Sequence, residues 1–313
     1  MTKKILLSGA KPTGIPHIGN YFGALKQFVD LQGDYETYIM IADYHALTSV
    51  HDAKLLRELT NELVLTYLGI GIDPEKVTLF RQSDSMGHTD LSWIFDCITT
   101  MPYLMRAHAF KDAEVKDKEI NVGLFNYPML MAADILLYDT DVVPVGRDQK
   151  QHIEYTRDTA QKFNNTFGET FKLPKEIILE SVETIPGTDG RKMSKSYGNE
   201  IPLFGTDDEI KKAVMSIVTD SSGDTPTNVY AIHKLFRSES ELAALYEEKK
   251  GKYKDLKEAL LADILDLVHP MRQRRAEFEK QPDLVAKILA AGAEKARARA
   301  AAKMKLVRER VGL

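Results

Sequence analysis

Residues 5–20 read ILLSGAKPTGIPHIGN, and this stretch decides the fold class because three local patterns follow one another in it. The apolar run Ile5–Leu7 predicts a strand, and glycines at positions 9, 14 and 19 predict a turn that backbone and ligand can approach closely. Apolar residues at helical spacing come next, at Phe22, Leu25, Phe28 and Val29. Because a helix N-terminus presents unpaired N–H groups and a positive dipole end, this order predicts an anion-binding site.

The same strand pattern recurs along the first two thirds of the chain. Further β-rich runs cover residues 38–41, 77–80, 142–145 and 177–179, with helical spacing between most of them. Between the first two of these, leucines and a tyrosine repeat every four residues until Gly69 and Gly71, which we expect to end that helix. This alternation favours a parallel sheet, in which ligands bind at the carboxyl ends of the strands.

The character of the chain changes after residue 199. Residues 207–219 have a helical pattern, and helical spacing continues almost to the end. We therefore predict an α/β fold: a Rossmann-like, doubly wound parallel sheet forms a nucleotide-binding catalytic domain over residues 1–199, and a C-terminal helical domain covers residues 200–313.

Composition limits the classes of protein that fit this chain of 313 residues. It is 43% hydrophobic and 28% charged, without an apolar stretch long enough to span a membrane, and its first residues do not resemble a signal peptide. We expect a cytoplasmic protein that does not bind membranes. Its one cysteine, Cys97, excludes an intramolecular disulfide and a four-cysteine metal cage, and its apolar neighbours predict that it is buried.

Charge is unevenly distributed along the chain. The net charge is −4, but residues 294–313 contain seven basic and two acidic side chains, so their balance is 7 − 2 = +5. Two interpretations of this stretch remain open: a patch that binds phosphates, or the solvated face of a terminal helix.

A second basic motif, RKMSKS at residues 191–196, directly follows the flexible residues 186–190. A mobile loop with two lysines and two hydroxyls can close over a triphosphate. By itself the run also fits an ordinary solvated turn.

The two motifs in this order resemble the signatures of class I aminoacyl-tRNA synthetases, and the rest of the chain resembles the tryptophanyl-tRNA synthetases. Residues His17–Asn20 match the His-Ile-Gly-His signature, with Asn20 in place of the second histidine. The resemblance implies activation of L-tryptophan by ATP with Mg²⁺, release of pyrophosphate, and transfer of the aminoacyl group to tRNA(Trp). It implies no metal held by the protein itself.

The resemblance also assigns roles to individual residues. It implies that the catalytic residues are His17, Lys111, Lys192 and Lys195. It implies that ATP contacts Gly9, Lys11, Pro12, Thr13, Gly19, Asn20, Gly146, Arg147, Asp148, Ile185, Lys192, Met193, Ser194, Lys195 and Ser196. Three positions differ from the common pattern: Lys11 stands where Gln is usual, Arg147 where an acidic residue is frequent, and Ala113 where a second basic residue is usual.

The segment at residues 126–138 carries the expected specificity. On a helix that Pro128 would start, Tyr127, Met131, Asp134 and Tyr138 share one face. Such a stripe is often plain core, but a carboxylate among apolar side chains requires a partner, and an indole N–H is a pure donor. The resemblance implies that the tryptophan-binding residues are Leu7, His45, Tyr127, Met131, Asp134 and Gln149. A purely structural role for His45 remains an alternative.

The resemblance further implies a homodimer, with apolar residues 93–105 as a candidate interface. It places anticodon recognition in the helical domain, where Arg272, Arg274 and Arg275 are candidate contacts to the tRNA backbone. Three alternatives remain at this stage: a tyrosyl-tRNA synthetase, a catalytically silent paralogue that binds RNA, and a small adenylyltransferase.

Overall fold

The computed structural model describes residues 3–107, 110–111, 120–146, 150–177, 185–219 and 225–313. The strands of this part of the chain are β1 (Ile5–Ala10), β2 (Glu36–Ile41), β3 (Val77–Arg81), β4 (Val142–Pro144) and β5 (Lys175–Ile177). Its helices up to β5 are α1 (Ile18–Asn20), a π-helical turn (Tyr21–Leu25), α2 (Lys26–Leu31), α3 (Asp43–Ala46), α4 (Ala53–Ile70), a 3₁₀ turn (Gln82–Asp84), α5 (Gly87–Ile98), α6 (Met101–Leu104), α7 (Val122–Leu136) and α8 (Lys150–Phe167). After β5 come a 3₁₀ turn (Lys195–Tyr197), α9 (Asp207–Met215), α10 (Thr227–His233), α11 (Glu239–Glu248), α12 (Tyr253–Glu279) and α13 (Pro282–Val311).

The strands form one parallel sheet in the order β3-β2-β1-β4-β5. After β1 the chain adds β2 and β3 on one side of the sheet, and then β4 and β5 on the other side. The strand order therefore reverses between β1 and β4, and in doubly wound sheets ligands bind at the carboxyl ends of the strands beside such a point. This confirms the predicted fold class, with a strand at each predicted run; β5 begins two residues earlier than predicted, and residues 178–179 lie outside the described ranges.

Helices cover both faces of the sheet and bury two apolar cores. One core joins β2 and α4 to the C-terminal helices through side chains such as Ile39, Leu63 and Ile264. The other joins the opposite face to α5, α7, α8 and the second half of α13. Helices do dominate after residue 199, but both cores contain residues from either side of that position. The boundary at 199/200 stays a prediction, and packing across it is continuous.

The last helix, α13, returns to the sheet. It runs so close to β3 that a side chain at Gly292 would overlap the carbonyl group of Leu79. Further along, Ala296, Ala300 and Met304 are buried in the second core. The terminal helix thus packs against the predicted catalytic domain.

The basic C-terminal stretch, for which two interpretations were open, has several of its side chains paired with groups of the protein itself. Lys303 is 8% exposed and lies 2.6 Å from Asp139, and Arg299 donates to the carbonyl of Tyr138 at 2.7 Å. Arg308 pairs with Asp90 at 2.6 Å. The charges of these three side chains hold the helix against the body of the protein. The other four basic residues, Lys295, Arg297, Lys305 and Arg310, are exposed, and for them both interpretations stay open.

The three arginines that were candidates for tRNA contacts also bind protein groups. Arg272 donates to the carbonyl of Gly205 at 2.9 Å, and Arg274 donates to the carbonyl of Gly69 at 3.0 Å. Arg275 pairs with Glu62 of α4 through both terminal nitrogens and stacks on Phe204. The guanidinium groups of Arg274 and Arg275 thus join α12 to α4, and that of Arg272 joins it to the segment before α9. Contact of these arginines with the tRNA backbone stays a prediction.

Three local expectations need correction. Helix α7 begins at Val122, with the Asn121 side chain accepting from the N–H of Leu124 at 2.8 Å, so Pro128 lies inside the helix. Helix α4 runs through Gly69 and ends at Ile70, with Gly71 as its C-cap at a φ of 105°. Cys97 is exposed, because α5 turns Leu91 and Phe95 toward the core and Cys97 away from it.

Candidate active site

A pocket with a volume of about 250 Å³ lies between the carboxyl ends of β1 and β4, where the strand order reverses. Apolar side chains from both strands line it, together with side chains from α3 and α7. The structure brings five of the six residues predicted to bind tryptophan to its wall: Leu7, His45, Tyr127, Met131 and Asp134. The sixth, Gln149, lies outside the described residues.

Asp134 is the acidic group of this pocket, and it is almost completely buried at 2% exposure. Its Oδ2 atom lies 2.9 Å from Nε2 of His45, which also lines the pocket. Its Oδ1 atom accepts from Nε2 of Gln82 at 2.7 Å and lies 2.7 Å from Nδ1 of His88. The carboxylate on α7 is thus fixed by three other elements: by α3, by the 3₁₀ turn that follows β3, and by α5.

These contacts decide the charge of Asp134. Burial alone raises the pKa of a carboxyl, but here the hydrogen bonds from His45 and His88 and the proximity of the two rings lower the pKa of Asp134 to about 2. The group is therefore an ionised acceptor at neutral pH. His45 has both a structural partner and a place in the pocket wall, so its position fits either of its two predicted roles.

Sequence reasoning missed three residues of this site. Gln82 and His88 are completely buried and reach Asp134 from behind the pocket. His152 lies in the pocket wall, where its Nε2 atom is 3.1 Å from the hydroxyl of Tyr127. His152 stands in a motif that the resemblance covered, whereas Gln82 directly follows a strand, and that position was the available signal.

The first sequence motif, at residues 5–20, provides the N-terminus of α1. His17 is its N-cap, and the Nδ1 atom of His17 accepts from the N–H of Asn20 at 3.2 Å. The side-chain oxygen of Asn20 accepts in turn from the N–H of His17 at 3.1 Å. In the neutral ring the proton must then be on Nε2 of His17, which makes that atom a donor.

The second motif lies against the first. Met193 is buried, and its sulfur accepts from the N–H of Gly19 at 3.3 Å. The ammonium of Lys195 lies 3.3 Å from the carbonyl of Thr13 in the turn after β1. His17 and Lys195 also line one open cleft of about 720 Å³. The two motifs are 174 residues apart in the chain at their sulfur contact, and the fold makes them neighbours.

Asn199 gives the loop its shape. Its side chain accepts from the N–H of Ser194 at 2.8 Å and donates to Asp189 at 2.6 Å and to the carbonyl of Lys192 at 3.1 Å. Its side chain is 2% exposed. The amide therefore holds the two lysines of the loop in a defined conformation, and no sequence pattern indicated this role.

Several of the other predicted ATP-binding residues can be placed individually. The loop residues Lys192, Ser194 and Ser196 follow Ile185, whose carbonyl accepts from the N–H of Met193 at 2.9 Å. Lys11 donates to the hydroxyls of Thr48 and Ser49 at 2.9 and 2.7 Å, so its ammonium points to the end of α3. Gly9 lines the same pocket as Asp134, whereas Arg147 and Asp148 lie outside the described residues. Lys111, which was predicted to be catalytic, is exposed.

The chemistry of His17 gives a testable pH dependence. Burial lowers the pKa of His17 to about 4, with Glu200 opposing and Lys195 reinforcing the effect. The unfolded chain binds this proton near pH 6.5, so between pH 6.5 and 4 the unfolded state carries more of it and the folded state loses stability as the pH falls. In an NMR titration of the ligand-free protein, we expect the ring of His17 to titrate near pH 4.

The spectrum of His17→Asn identifies the signal of that ring by its loss. A midpoint near 6.5 would show that His17 is solvated and that the described cap is absent. Added ATP should raise the midpoint, because phosphate charge stabilises the protonated ring.

Within the described residues, no cluster of three or more His, Cys, Asp or Glu side chains has the arrangement of a metal site. In the same part of the chain, none of the helices has the length and apolarity needed to cross a bilayer.

Comparisons with known proteins agree with this geometry. The family described as tRNA synthetases class I (W and Y) matches residues 2–280. The "Tryptophan--tRNA ligase" of Fusobacterium nucleatum is 49% identical over 98% of this chain and 97% of its own length, and that of Rhodopirellula baltica is 45% identical over 98% and 99%.

A solved structure is equally similar. The crystal structure of tryptophanyl-tRNA synthetase from Campylobacter jejuni complexed with ADP and tryptophan superposes with a TM-score of 0.91, at 42% identity, over 99% of this chain and 100% of that one. With both signatures in contact, a Rossmann-like sheet and relatives matched over nearly their full length, the chain belongs to the class I tRNA synthetase family of the tryptophan and tyrosine enzymes.

Proposed function

We propose that the pocket between β1 and β4 binds L-tryptophan and that the cleft beside the loop at residues 185–200 binds the phosphates of ATP. The chain is a tryptophan–tRNA ligase, which activates tryptophan with ATP and transfers it to tRNA. The family model covers tyrosine enzymes as well, but the relatives at 40 to 49% identity are tryptophan enzymes. What is proposed is the role of each residue.

The observation that carries the assignment is the position of Asp134. It is an ionised carboxylate in an otherwise largely apolar pocket, with Met131 and Tyr127 beside it on the same helix. An indole ring needs apolar walls and one acceptor for its N–H, and Asp134 offers that acceptor. The C. jejuni structure contains tryptophan, which supports the assignment by similarity.

The second site performs the chemistry on ATP. A carboxylate oxygen of tryptophan attacks the α-phosphorus, the bond to the bridging oxygen breaks, and pyrophosphate leaves with the negative charge. Nε2–H of His17 donates a hydrogen bond to the phosphates, and Lys192 and Lys195 neutralise charge that grows on the leaving group. We take ATP to bind as its Mg²⁺ complex, and we assign Lys111 to the same phosphates.

Three further parts of the proposal concern partners and location. We propose tRNA(Trp) as the acceptor and the cytoplasm as the location, and the class of the relatives supports both. We also propose a homodimer, because α5, α6 and the start of α7 expose apolar side chains together, including Trp93 at 70% and Met101 at 62%. Sedimentation equilibrium with a mass of one chain would contradict the dimer.

Binding of a tryptophan isostere tests the role of Asp134 directly. In benzothienylalanine, sulfur replaces the ring N–H, so the shape is kept and the donor is lost. We expect it to bind roughly 10- to 100-fold more weakly than L-tryptophan, since a buried charged acceptor is left unpaired. Isothermal titration gives both affinities. Equal affinities would show that Asp134 does not contact the ring nitrogen, and ATP binding serves as the control for intact protein.

A further inference from the structure

Two fully buried side chains behind the pocket, Gln82 and His88, hold the oxygen of Asp134 that a ligand cannot reach. Both donate to Oδ1, each at 2.7 Å, and neither belongs to the pocket wall. The pocket residue His45 approaches Oδ2 instead. The carboxylate is thus divided into a rear oxygen, Oδ1, and a pocket oxygen, Oδ2.

The donor direction of each rear contact is determined by chemistry. Ionised Asp134 only accepts, so Nδ1 of His88 must carry a proton. Nε2 of His88 then accepts from the hydroxyl of Tyr138, which lies 2.8 Å away. For Gln82, the N–H of Tyr44 donates to the side-chain oxygen at 3.1 Å, which turns the amide nitrogen toward Asp134.

Counting acceptor sites shows what remains for a ligand. A carboxylate has about four lone-pair sites, two on each oxygen. Gln82 and His88 occupy both sites on Oδ1, and His45 occupies one on Oδ2. One site is left, on the oxygen that faces the pocket, and an indole N–H supplies exactly one donor.

We infer that His88, together with Gln82, is a positioning residue for amino-acid selection: by saturating Oδ1 it orients the carboxylate of Asp134 so that Oδ2 presents one acceptor site to the indole N–H. This inference rests on the proposed role of Asp134. Neither His88 nor Gln82 touches the substrate. Losing His88 frees the carboxylate to rotate, and its loss must therefore appear in recognition of the ring nitrogen more than in the handling of ATP.

Two substitutions of His88 separate its two nitrogens. In His88→Asn the amide nitrogen falls near the former Nδ1, so a donor to Asp134 is kept. In His88→Gln it falls near the former Nε2, so that donor is lost. We expect His88→Gln to raise the KM for tryptophan in pyrophosphate exchange roughly 10- to 30-fold, with little change in kcat or in the KM for ATP. His88→Asn should recover most of the loss.

The ratio of tryptophan to benzothienylalanine affinity is the readout that a merely structural role would not move. We expect this ratio to fall toward one in His88→Gln and in Gln82→Met. The second variant removes the other donor to Oδ1 of Asp134, and it tests the inference independently if His88→Gln does not fold. A matched control is His233→Asn, because His233 is also fully buried between a tyrosine hydroxyl and a carboxylate, and its Nε2 atom, which Asn does not replace, is the one that faces Asp263. It should lose stability and keep the ratio.

The outcomes distinguish this inference from the assignment on which it rests. If Asp134→Ala retains the wild-type ratio, the role of Asp134 fails and the inference fails with it. If Asp134→Ala loses the ratio while His88→Gln and Gln82→Met keep it, the inference alone is overturned. His88→Asn behaving as poorly as His88→Gln would also overturn it, since donation to Asp134 would then not be the relevant property.

Discussion

Lys195→Ala should reduce the rate of tryptophan activation by about 10²- to 10³-fold, the usual cost of removing one preorganised group that stabilises charge in a transition state. The ammonium of Lys195 sits at the cleft beside His17, held 3.3 Å from the carbonyl of Thr13. It lies outside the wall of the pocket that contains Asp134. Tryptophan affinity should therefore stay within about 3-fold of wild type, since the change spares binding in the ground state.

Single-turnover kinetics with rapid quenching measure this rate, and titration calorimetry measures the affinity. Lys211→Ala is the matched control, because it removes an exposed lysine from α9 without altering the wall of the cleft. An unchanged activation rate in Lys195→Ala, with the control also unchanged, would contradict the role given to the loop.

Asp134→Ala should have the opposite profile: tryptophan binding weakens by about 100-fold or more, while ATP binding changes by less than about 3-fold. The variant loses the acceptor for the indole N–H and leaves His45, His88 and Gln82 without their common partner. Each buried donor left unpaired costs about 1–3 kcal/mol, so the free energy of unfolding should also fall.

The stability loss has its own control in Asp263→Ala. Asp263 accepts from His233 and Arg237 in the C-terminal helices, so its removal also leaves charged or polar donors unpaired. We expect a comparable loss of stability and unchanged tryptophan affinity. Equal losses of tryptophan and ATP affinity in Asp134→Ala would show that α7 was assigned to the wrong substrate.

Much of the fold could be predicted from sequence because its signals are local. Strand β1, its glycine turn and the helix start at His17 follow one another within sixteen residues, and periodicity identified the other strands as well. The same local reasoning misplaced the start of α7, because Pro128 is tolerated inside a helix that Asn121 had already capped. It also predicted that Cys97 is buried, whereas Cys97 shares the exposed face of α5 with Trp93, four residues earlier.

The candidate site was predictable to the extent that its residues stand in motifs. His17, Lys195 and Asp134 belong to such motifs, and the structure places each beside a cleft or pocket. Gln82, His88 and Asn199 act through contacts with residues that are distant or irregularly spaced, so no periodic pattern reveals them. Their roles can be assigned once the fold shows which charged or backbone group each side chain contacts.

The number of charged residues in a segment was the poorest guide to what that segment binds. The seven basic residues of the last twenty suggested either a phosphate-binding patch or a solvated face, yet Arg299, Lys303 and Arg308 bind groups of the sheet domain. Arg275 likewise pairs with Glu62. A basic helix that packs against an acidic surface has the same composition as one that binds nucleic acid, and only tertiary contacts separate the two.

The decisive experiment is amino-acid-dependent exchange of pyrophosphate into ATP, measured with Mg²⁺ and each of the twenty amino acids in turn. Exchange requires both the tryptophan pocket and the ATP cleft, but no tRNA. We expect rapid exchange with tryptophan and only background rates with the other nineteen. Rapid exchange with tyrosine, or none with any amino acid, would contradict the proposed function.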